Sequence, residues 1–170
     1  DAGKAYRCFC TADELAQRRA AAESAGGAFA YDRRCDELDR GTIERRVAAG
    51  DPFVLRFRVP DGDTAWHDLV HERISFPNKD IDDFVILRSD ATPIYNHAVV
   101  SDDIAMGITL VMRGDDHLSN TPKQILLYEA LGAEIPQFAH LPMIHGTDGK
   151  KLSKHHGATA VGDYQHLGIL

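Results

Sequence analysis

Two lysines near the carboxyl end of the chain, Lys151 and Lys154, carry the sharpest chemical signal in the sequence. They are three positions apart, Ser153 lies between them, and a glycine-containing turn precedes them. Two ammonium groups on a flexible loop can hold adjacent phosphate oxygens and tighten on them as charge develops in a transition state. Taken alone, this pattern also fits an exposed lysine loop without function, so other motifs must decide its meaning.

Three cysteines, Cys8, Cys10 and Cys35, form a second candidate site. Their odd number and their confinement to the amino-terminal region argue against a disulfide framework. A close pair with a distant third thiolate suits tetrahedral zinc coordination. The nearest histidine is His67, so no local histidine completes such a site. Zinc binding and three small buried or free thiols are the two alternatives.

Four ordered blocks of sequence resemble the bacterial glutamyl-tRNA synthetases, which are class I aminoacyl-tRNA synthetases. The resemblance extends over essentially the whole chain, and residues 151–155 match that family's version of the KMSKS signature. A short lysine motif is weak evidence, whereas four blocks in order and at matching spacing are strong. The blocks are residues 83–103, 111–117, 121–124 and 149–157.

The resemblance implies a glutamate site at Arg113, Tyr95 and His117. Arg113 occupies the position of the family's arginine for the substrate carboxylate, and a planar guanidinium suits a carboxylate better than an ammonium group does. Tyr95 matches a tyrosine of the amino-acid pocket, and His117 is a weaker match near it. A local ion pair for Arg113 and a core role for Tyr95 are the alternatives without function.

The same resemblance implies an ATP site. Lys151 and Lys154 would contact the phosphates and serve as the catalytic residues, while Ser153 shapes the loop. Met143 and Ile144 match strand-end residues whose backbone faces adenine. Magnesium would accompany ATP, bound mainly through its phosphates. The implied reaction forms glutamyl-adenylate and then transfers glutamate to the terminal ribose of tRNA, with positioning and charge stabilisation carrying the rate.

The family also contains zinc-binding members with similarly placed cysteines and a tyrosine four residues before the last one. Tyr31 keeps that spacing here, and Glu37 follows two residues after Cys35. The fourth ligand would be Tyr31, Glu37 or water.

The periodicity predicts helices over residues 11–24, 42–49, 96–106 and 119–132, several with capping residues at their start. Residues 53–59 and 65–74 flank a Pro-Asp-Gly-Asp turn, which predicts a hairpin. Strands at 83–88, 108–112 and 140–144 alternate with helices, which is typical of a parallel sheet with crossover helices.

The expected fold class is α/β. Residues 81–170 are expected to form the second half of a class I synthetase nucleotide-binding, Rossmann-like sheet. Residues 1–80 are expected to form an inserted α+β subdomain that binds the tRNA acceptor end. The family's HIGH-like motif and the anticodon-binding domains have no counterpart here, so we expect an internal fragment that does not aminoacylate alone.

Composition is that of an ordinary globular protein, with 44% hydrophobic and 26% charged residues. The net charge of −7 belongs to residues 51–170, because basic and acidic groups balance in the first fifty residues. An arginine-rich first segment could hold phosphates, although a solvated helical face explains interleaved charges more often. Without a membrane-spanning run or secretory signal, a cytoplasmic protein is expected, as part of a monomeric enzyme.

Two alternatives compete with glutamate–tRNA ligation. A glutamyl-queuosine tRNA synthetase would share the lysine loop and cysteines but end soon after the catalytic domain. A noncatalytic, zinc-stabilised RNA-binding module would explain the missing nucleotide motif, although it leaves the retained Tyr95, Arg113, Lys151 and Lys154 without a role. A glutamine-specific synthetase is disfavoured because a neutral amide would leave Arg113 unpaired.

Overall fold

The structure is a computed structural model that describes residues 3–27 and 29–143. The α-helices of these residues are α1 Ala12–Ser24, α2 Arg40–Ala48, α3 Tyr95–Met106 and α4 Thr121–Leu131. The strands are β1 Ala5–Cys8, β2 Val54–Phe57, β3 Asp63–Asp68, β4 Glu72–Pro77, β5 Val85–Leu87, β6 Leu110–Gly114 and β7 Gln137–Leu141. Short 3-10 helices cover Asn78–Asp80 and Asp115–Asn120.

The predicted helices are confirmed to within two residues at their starts. Thr11 caps α1 in a capping box, in which its hydroxyl accepts from the Glu14 amide while the Glu14 carboxylate accepts from the Thr11 amide. Gly107 and Gly132 end α3 and α4 in the left-handed conformation that glycine adopts without strain.

The strands form two sheets. One has the order β1-β2-β5 and is antiparallel throughout, and the other has the order β4-β3-β7-β6. Within the second sheet, β6 and β7 run parallel and α4 crosses between them, so this part of the predicted parallel α/β unit is confirmed.

The predicted hairpin between residues 53–59 and 65–74 is wrong. β2 is the central strand of its sheet, with β1 on one edge and β5 on the other, so neither edge remains for β3. β3 instead turns back at residues 69–71 and pairs with β4. The turn at residues 60–63 therefore redirects the chain from one sheet to the other.

The prediction that residues 83–88 join the parallel sheet is also wrong. β5 pairs antiparallel with β2, and the place beside β7 is taken by β3, which runs parallel to it. Both sheets therefore combine strands from the two sides of residue 80, where the sequence predicts a domain boundary.

The larger hydrophobic cluster lies between these sheets and α4. Phe57 from β2, Trp66 from β3, Phe138 from β7 and residues 125–128 of α4 belong to it. A smaller cluster surrounds the cysteines and includes Tyr6 and Tyr31. Among residues 3–27 and 29–143, no helix combines the length and apolar character that crossing a bilayer requires.

Candidate active site and metal centre

The first candidate site lies where the parallel strands β6 and β7 end. Arg113 is the penultimate residue of β6, and Gly114 closes the strand. Met143 follows β7 by two residues, and a methyl group added to Gly114 would lie 3.1 Å from the Met143 sulfur. Carboxyl ends of parallel strands are the usual position of ligand sites in α/β sheets. Arg113 and Met143 are thus brought to one edge of the sheet.

Two side chains hold the guanidinium of Arg113. Its Nε donates to Nε2 of His140 over 3.2 Å, and Nη2 donates to the Thr121 hydroxyl over 2.7 Å. The group also lies over the Phe138 ring, 5.7 Å from its centroid. Burial lowers the pKa of Arg113, while the nearby Tyr95 acts to raise it. The side chain remains a cation, since an arginine is not deprotonated in proteins.

Tyr95 and His117 lie together, as the glutamate-site prediction requires. Tyr95 begins α3, and His117 lies in the 3-10 helix that follows β6. The Tyr95 hydroxyl is 3.4 Å from Nδ1 of His117, and the two ring centroids are 6.0 Å apart. About half of the Tyr95 surface is exposed. Tyr95, which also acts on the pKa of Arg113, therefore connects the imidazole of His117 with the region of Arg113.

A polar chain continues from His117 toward the core. The His117 Nδ1 lies 3.4 Å from Nδ2 of Asn120, Asn96 donates to Asn120, and buried Gln124 donates to Asn96 over 3.1 Å. Because each amide has a partner, the chain fixes the start of α3 against the start of α4.

Most of the predicted ATP residues lie outside the described part of the chain. Met143 is described, whereas Ile144, Lys151, Ser153 and Lys154 are not. Met143 lies two residues after the end of β7, and its proposed role beside adenine stays a prediction.

Sequence reasoning missed Asp68, Thr121 and His140 as site residues. His140 and Asp68 are fully buried and joined by a 2.6 Å contact between Nδ1 and Oδ2. A sequence signal existed for Asp68, because it occupies an inward position in the alternating pattern of β3. An acid at such a position requires partners.

The cysteines form the second candidate site. The sulfurs of Cys8, Cys10 and Cys35 all lie within 4.8 Å of one another. The Tyr31 hydroxyl is 3.1 Å from the Cys8 sulfur and 3.7 Å from the Cys10 sulfur. Glu37 is exposed and does not belong to this group of converging atoms. Three thiols and one hydroxyl thus surround a common point, which fits a tetrahedral metal centre.

The surroundings of the cluster shift the pKa values of Cys8 and Cys10 in opposite directions. Burial acts to raise the pKa of Cys8, but hydrogen bonds from Tyr31 and Arg56 outweigh it and lower that pKa. Burial, with the neighbouring Cys35 and Cys8, raises the pKa of Cys10 to about 11. Arg56 also lies 4.0 Å above the Tyr31 ring. A divalent cation would favour the thiolate form of all three.

The arginines of the first segment are largely neutralised. Five of them lie in ion pairs with carboxylates, which favours the solvated, ion-paired interpretation of this segment over an open phosphate patch. These are Arg18 and Arg34 with Asp32, Arg33 with Asp83, Arg40 with Glu44, and Arg46 with Asp51.

Comparison with known proteins agrees with the geometry. Two curated proteins named glutamate–tRNA ligase, from Citrifermentans bemidjiense and Coprothermobacter proteolyticus, are each 52% identical to this chain over 170 residues. The alignments cover 99% of this chain but only 35% and 36% of those proteins, so the chain spans about a third of the relatives' length.

Solved structures share the fold. The crystal structure of a glutamate tRNA ligase from Elizabethkingia meningosepticum, in complex with its amino acid, matches with a TM-score of 0.84 and 36% identity. That match covers 91% of this chain and 32% of the other. The family described as tRNA synthetases class I (E and Q), catalytic domain, matches residues 1–170. The chain therefore belongs to the class I tRNA synthetases of the E and Q group, as part of their catalytic domain.

Proposed function

We propose that this chain supplies the amino-acid pocket and the lysine loop of a glutamate–tRNA ligase. The observation that carries the proposal is Arg113, a half-buried cation held at the carboxyl end of β6 beside Tyr95 and His117. A guanidinium in such a setting meets a carboxylate with two parallel hydrogen bonds, whereas a neutral amide would leave its charge uncompensated. The site therefore fits an acidic amino acid, and the similarity to proteins named glutamate–tRNA ligase favours glutamate over aspartate.

The reaction places most demands on position and charge. The α-carboxylate of glutamate attacks the α-phosphorus of ATP and pyrophosphate leaves; a hydroxyl of the terminal ribose of tRNA then attacks the glutamyl carbonyl and AMP leaves. In this proposal Arg113 holds the side-chain carboxylate, and Met143 and Ile144 would contribute backbone contacts to adenine. Lys151 and Lys154 contact the phosphates, and Ser153 shapes their loop. Fixed cations lower the barrier by matching charge that develops in the transition state. Magnesium would enter with ATP, mainly on its phosphates.

The three cysteines are proposed to hold zinc, with Tyr31 as the fourth ligand. The convergence of the Cys8, Cys10 and Cys35 sulfurs around the Tyr31 hydroxyl supports this choice over Glu37. A closed set of four protein ligands is typical of a structural zinc site rather than a catalytic one. The metal would tie β1 to the loop before α2.

Residues 1–80 are proposed to contact the acceptor end of tRNA, and residues 81–170 to carry the catalytic half-site. The parent enzyme is proposed to be monomeric and cytoplasmic. Because five arginines of the first segment are already paired with carboxylates, such contact would depend on shape and on a few local charges.

The decisive experiment is ATP–pyrophosphate exchange with the full-length natural protein that contains this chain. We expect exchange with glutamate and none above background with glutamine or aspartate, measured with and without tRNA. The Lys154→Ala variant should reduce the exchange rate roughly 100-fold or more, because the phosphates lose their contact with one ammonium group.

Lys79→Ala is the matched control, because Lys79 is an exposed lysine in a short 3-10 helix. It should retain the unmodified rate. Exchange that is equally fast with glutamine, or absent with every amino acid, would contradict the proposal, and the latter outcome would favour a noncatalytic RNA-binding module.

A further inference from the structure

Arg113 is supported by a buried chain of polar groups that begins on β3, two strands away in the same sheet. Asp68 ends β3, His140 lies in β7, and neither side chain is accessible to solvent. Oδ2 of Asp68 is 2.6 Å from Nδ1 of His140, and Nε2 of the same ring accepts from Nε of Arg113 over 3.2 Å. The chain thus connects an acid in β3 to the guanidinium at the end of β6.

The carboxylate is held in its charged form. Burial acts to raise the pKa of Asp68, but hydrogen bonds from the His140 ring and from the backbone amides of Val70, His71 and His140 lower it well below its usual range. All three amides donate to Oδ1, which leaves Oδ2 to accept from the imidazole over 2.6 Å and, more weakly, from Nε1 of Trp66 over 3.5 Å. A carboxylate can only accept, so Nδ1 of His140 must carry a proton.

The tautomer of His140 determines whether its Nε2 can accept a hydrogen bond from Arg113. With the proton on Nδ1, Nε2 is left to present a lone pair, as a contact with a donor requires. That lone pair accepts from Nε of Arg113, and the Thr121 hydroxyl lies 2.9 Å from the same atom while accepting from Nη2. Both protein contacts therefore occupy the Nε–Nη2 edge of the guanidinium. A substrate carboxylate would meet the remaining Nη1–Nη2 end.

The acid, imidazole and hydroxyl are ordered as in a hydrolytic triad, but the environment excludes that role. Thr121 is fully buried at the start of α4, and its oxygen already accepts from Arg113. A nucleophile must be reachable by its substrate. The chain of groups consequently acts on Arg113 rather than on a substrate.

We propose that Asp68 and His140 are positioning residues that fix the rotation of the Arg113 guanidinium and so set the affinity for the substrate's side-chain carboxylate. The inference rests on the proposed function, since it assumes that Arg113 binds that carboxylate. Asp68 sets the imidazole tautomer, and His140 supplies the acceptor. Neither residue touches the substrate.

The Asp68→Asn variant tests the tautomer directly. Its carbonyl oxygen remains the acceptor for the three amides, so its NH₂ group faces Nδ1 and drives the proton to Nε2. Two donors then oppose each other between His140 and Arg113. In ATP–pyrophosphate exchange by the full-length protein, we expect the KM for glutamate to rise about 10-fold to 100-fold and the KM for ATP to stay within about twofold.

His140→Gln and His140→Leu form a second, independent pair. The glutamine carbonyl can take the place of the Nε2 lone pair, whereas leucine offers no acceptor. We expect glutamine to keep the KM for glutamate within about threefold of the unmodified protein and leucine to raise it about tenfold or more. A purely structural role would not distinguish the two in this way.

Asp83→Asn is the matched control, because Asp83 is equally buried but bonds to Tyr6, Arg33 and the Val59 amide instead. It should lower the melting temperature and leave the KM for glutamate unchanged. An unchanged glutamate KM in both Asp68→Asn and His140→Leu, an equal rise for ATP, or His140→Gln as impaired as His140→Leu would overturn the inference. Failure of the proposed function is distinguishable, because the unmodified protein would then show no glutamate-dependent exchange.

Discussion

At the scale of single residues, Arg113 illustrates how charge and geometry divide the work. Its cation attracts a carboxylate from any direction, but its bonds to His140 and Thr121 fix the plane in which two hydrogen bonds can form. Lysine would keep the charge and lose the fork. The residue type therefore matters for specificity as much as for affinity.

We accordingly expect Arg113→Lys to reduce kcat/KM for glutamate about 100-fold, because the bidentate contact and both positioning bonds are lost together. ATP–pyrophosphate exchange at varied glutamate and ATP concentrations measures the effect. The KM for ATP should stay near its original value. A loss confined to ATP would show that Arg113 serves the nucleotide and not the amino acid.

The metal centre gives a second prediction at this scale. Tyr31→Phe removes one hydroxyl from the cysteine cluster and should weaken zinc binding about 10-fold to 100-fold, whereas Glu37→Gln should leave it unchanged. Zinc content and competition with a chromophoric chelator measure both. The reverse order of effects would identify Glu37 as the fourth ligand, and absence of zinc from the unmodified protein would favour three free thiols.

At the scale of secondary-structure elements, α1 depends on local signals. None of its residues is buried, so packing contributes little and the capping box at Thr11 and Glu14 has a large share in its stability. One ion pair, Arg18 with Asp32, and the cation–π contacts of Arg18 and Arg19 with the Phe29 ring join it to the following loop.

Thr11→Ala should therefore destabilise α1 by about 1 kcal/mol. The effect should appear as faster amide exchange within residues 12–24 and only weakly in the global melting temperature. Ser24→Ala is the control, because Ser24 lies at the carboxyl end of α1, away from the cap, and its hydroxyl donates to the Ala20 carbonyl one turn earlier. An equal increase of the amide exchange rate in both variants would show that the capping box contributes no more to the stability of α1 than the Ser24 hydroxyl does.

The turn between β3 and β4 is tied to the segment after β6 by a pH-dependent contact. Nε2 of His71 lies 2.8 Å from the Asp115 carboxylate, and that partner raises the pKa of His71. A pKa raised by folding gives stability that is complete below the unfolded value of about 6.5 and is lost as pH rises through the folded value.

The melting temperature of the natural protein should consequently fall between about pH 6 and pH 8 by more than that of His71→Gln, in which this contribution is absent. Both side chains of the pair are partly exposed, so the difference should be small and should shrink in high salt. Identical pH profiles for the two proteins would contradict this assignment.

At the scale of the whole molecule, one hydrophobic cluster unites the two sheets through α4. Leu126 lies inside the cluster with 3% of its surface exposed, whereas Leu131, on the same helix, is 55% exposed. Because the cluster includes residues of both sheets, a substitution within it should destabilise the parts of the chain before and after residue 80 together.

Leu126→Ala should lower the free energy of unfolding by about 2 to 5 kcal/mol, and Leu131→Ala by less than about 1 kcal/mol. Urea unfolding followed by Trp66 fluorescence and by far-ultraviolet circular dichroism measures both. Trp66 is the only tryptophan in the chain and belongs to the cluster. Two separated transitions would show that the sheets unfold independently.

Local signals in the sequence were sufficient for the helices, their caps and the family motifs. Thr11 with Glu14, and Pro122 at the start of α4, act on neighbouring residues, so contiguous sequence contains the whole signal. The likeness of residues 83–103 and 111–117 to a known family likewise singles out Tyr95, Arg113 and His117 by sequence alone. The fold brings these three side chains together.

Only the tertiary structure decided which strands pair and what supports Arg113. A turn signal cannot reveal that both edges of β2 are occupied, because those partners lie elsewhere in the chain. Asp68 and His140 are 72 positions apart, and although the inward position of Asp68 in β3 indicates that it needs a partner, nothing local identifies His140 as that partner. They come together because β3 lies beside β7 in the sheet. A carboxylate that is buried away from solvent needs a hydrogen-bond donor, and His140 supplies one.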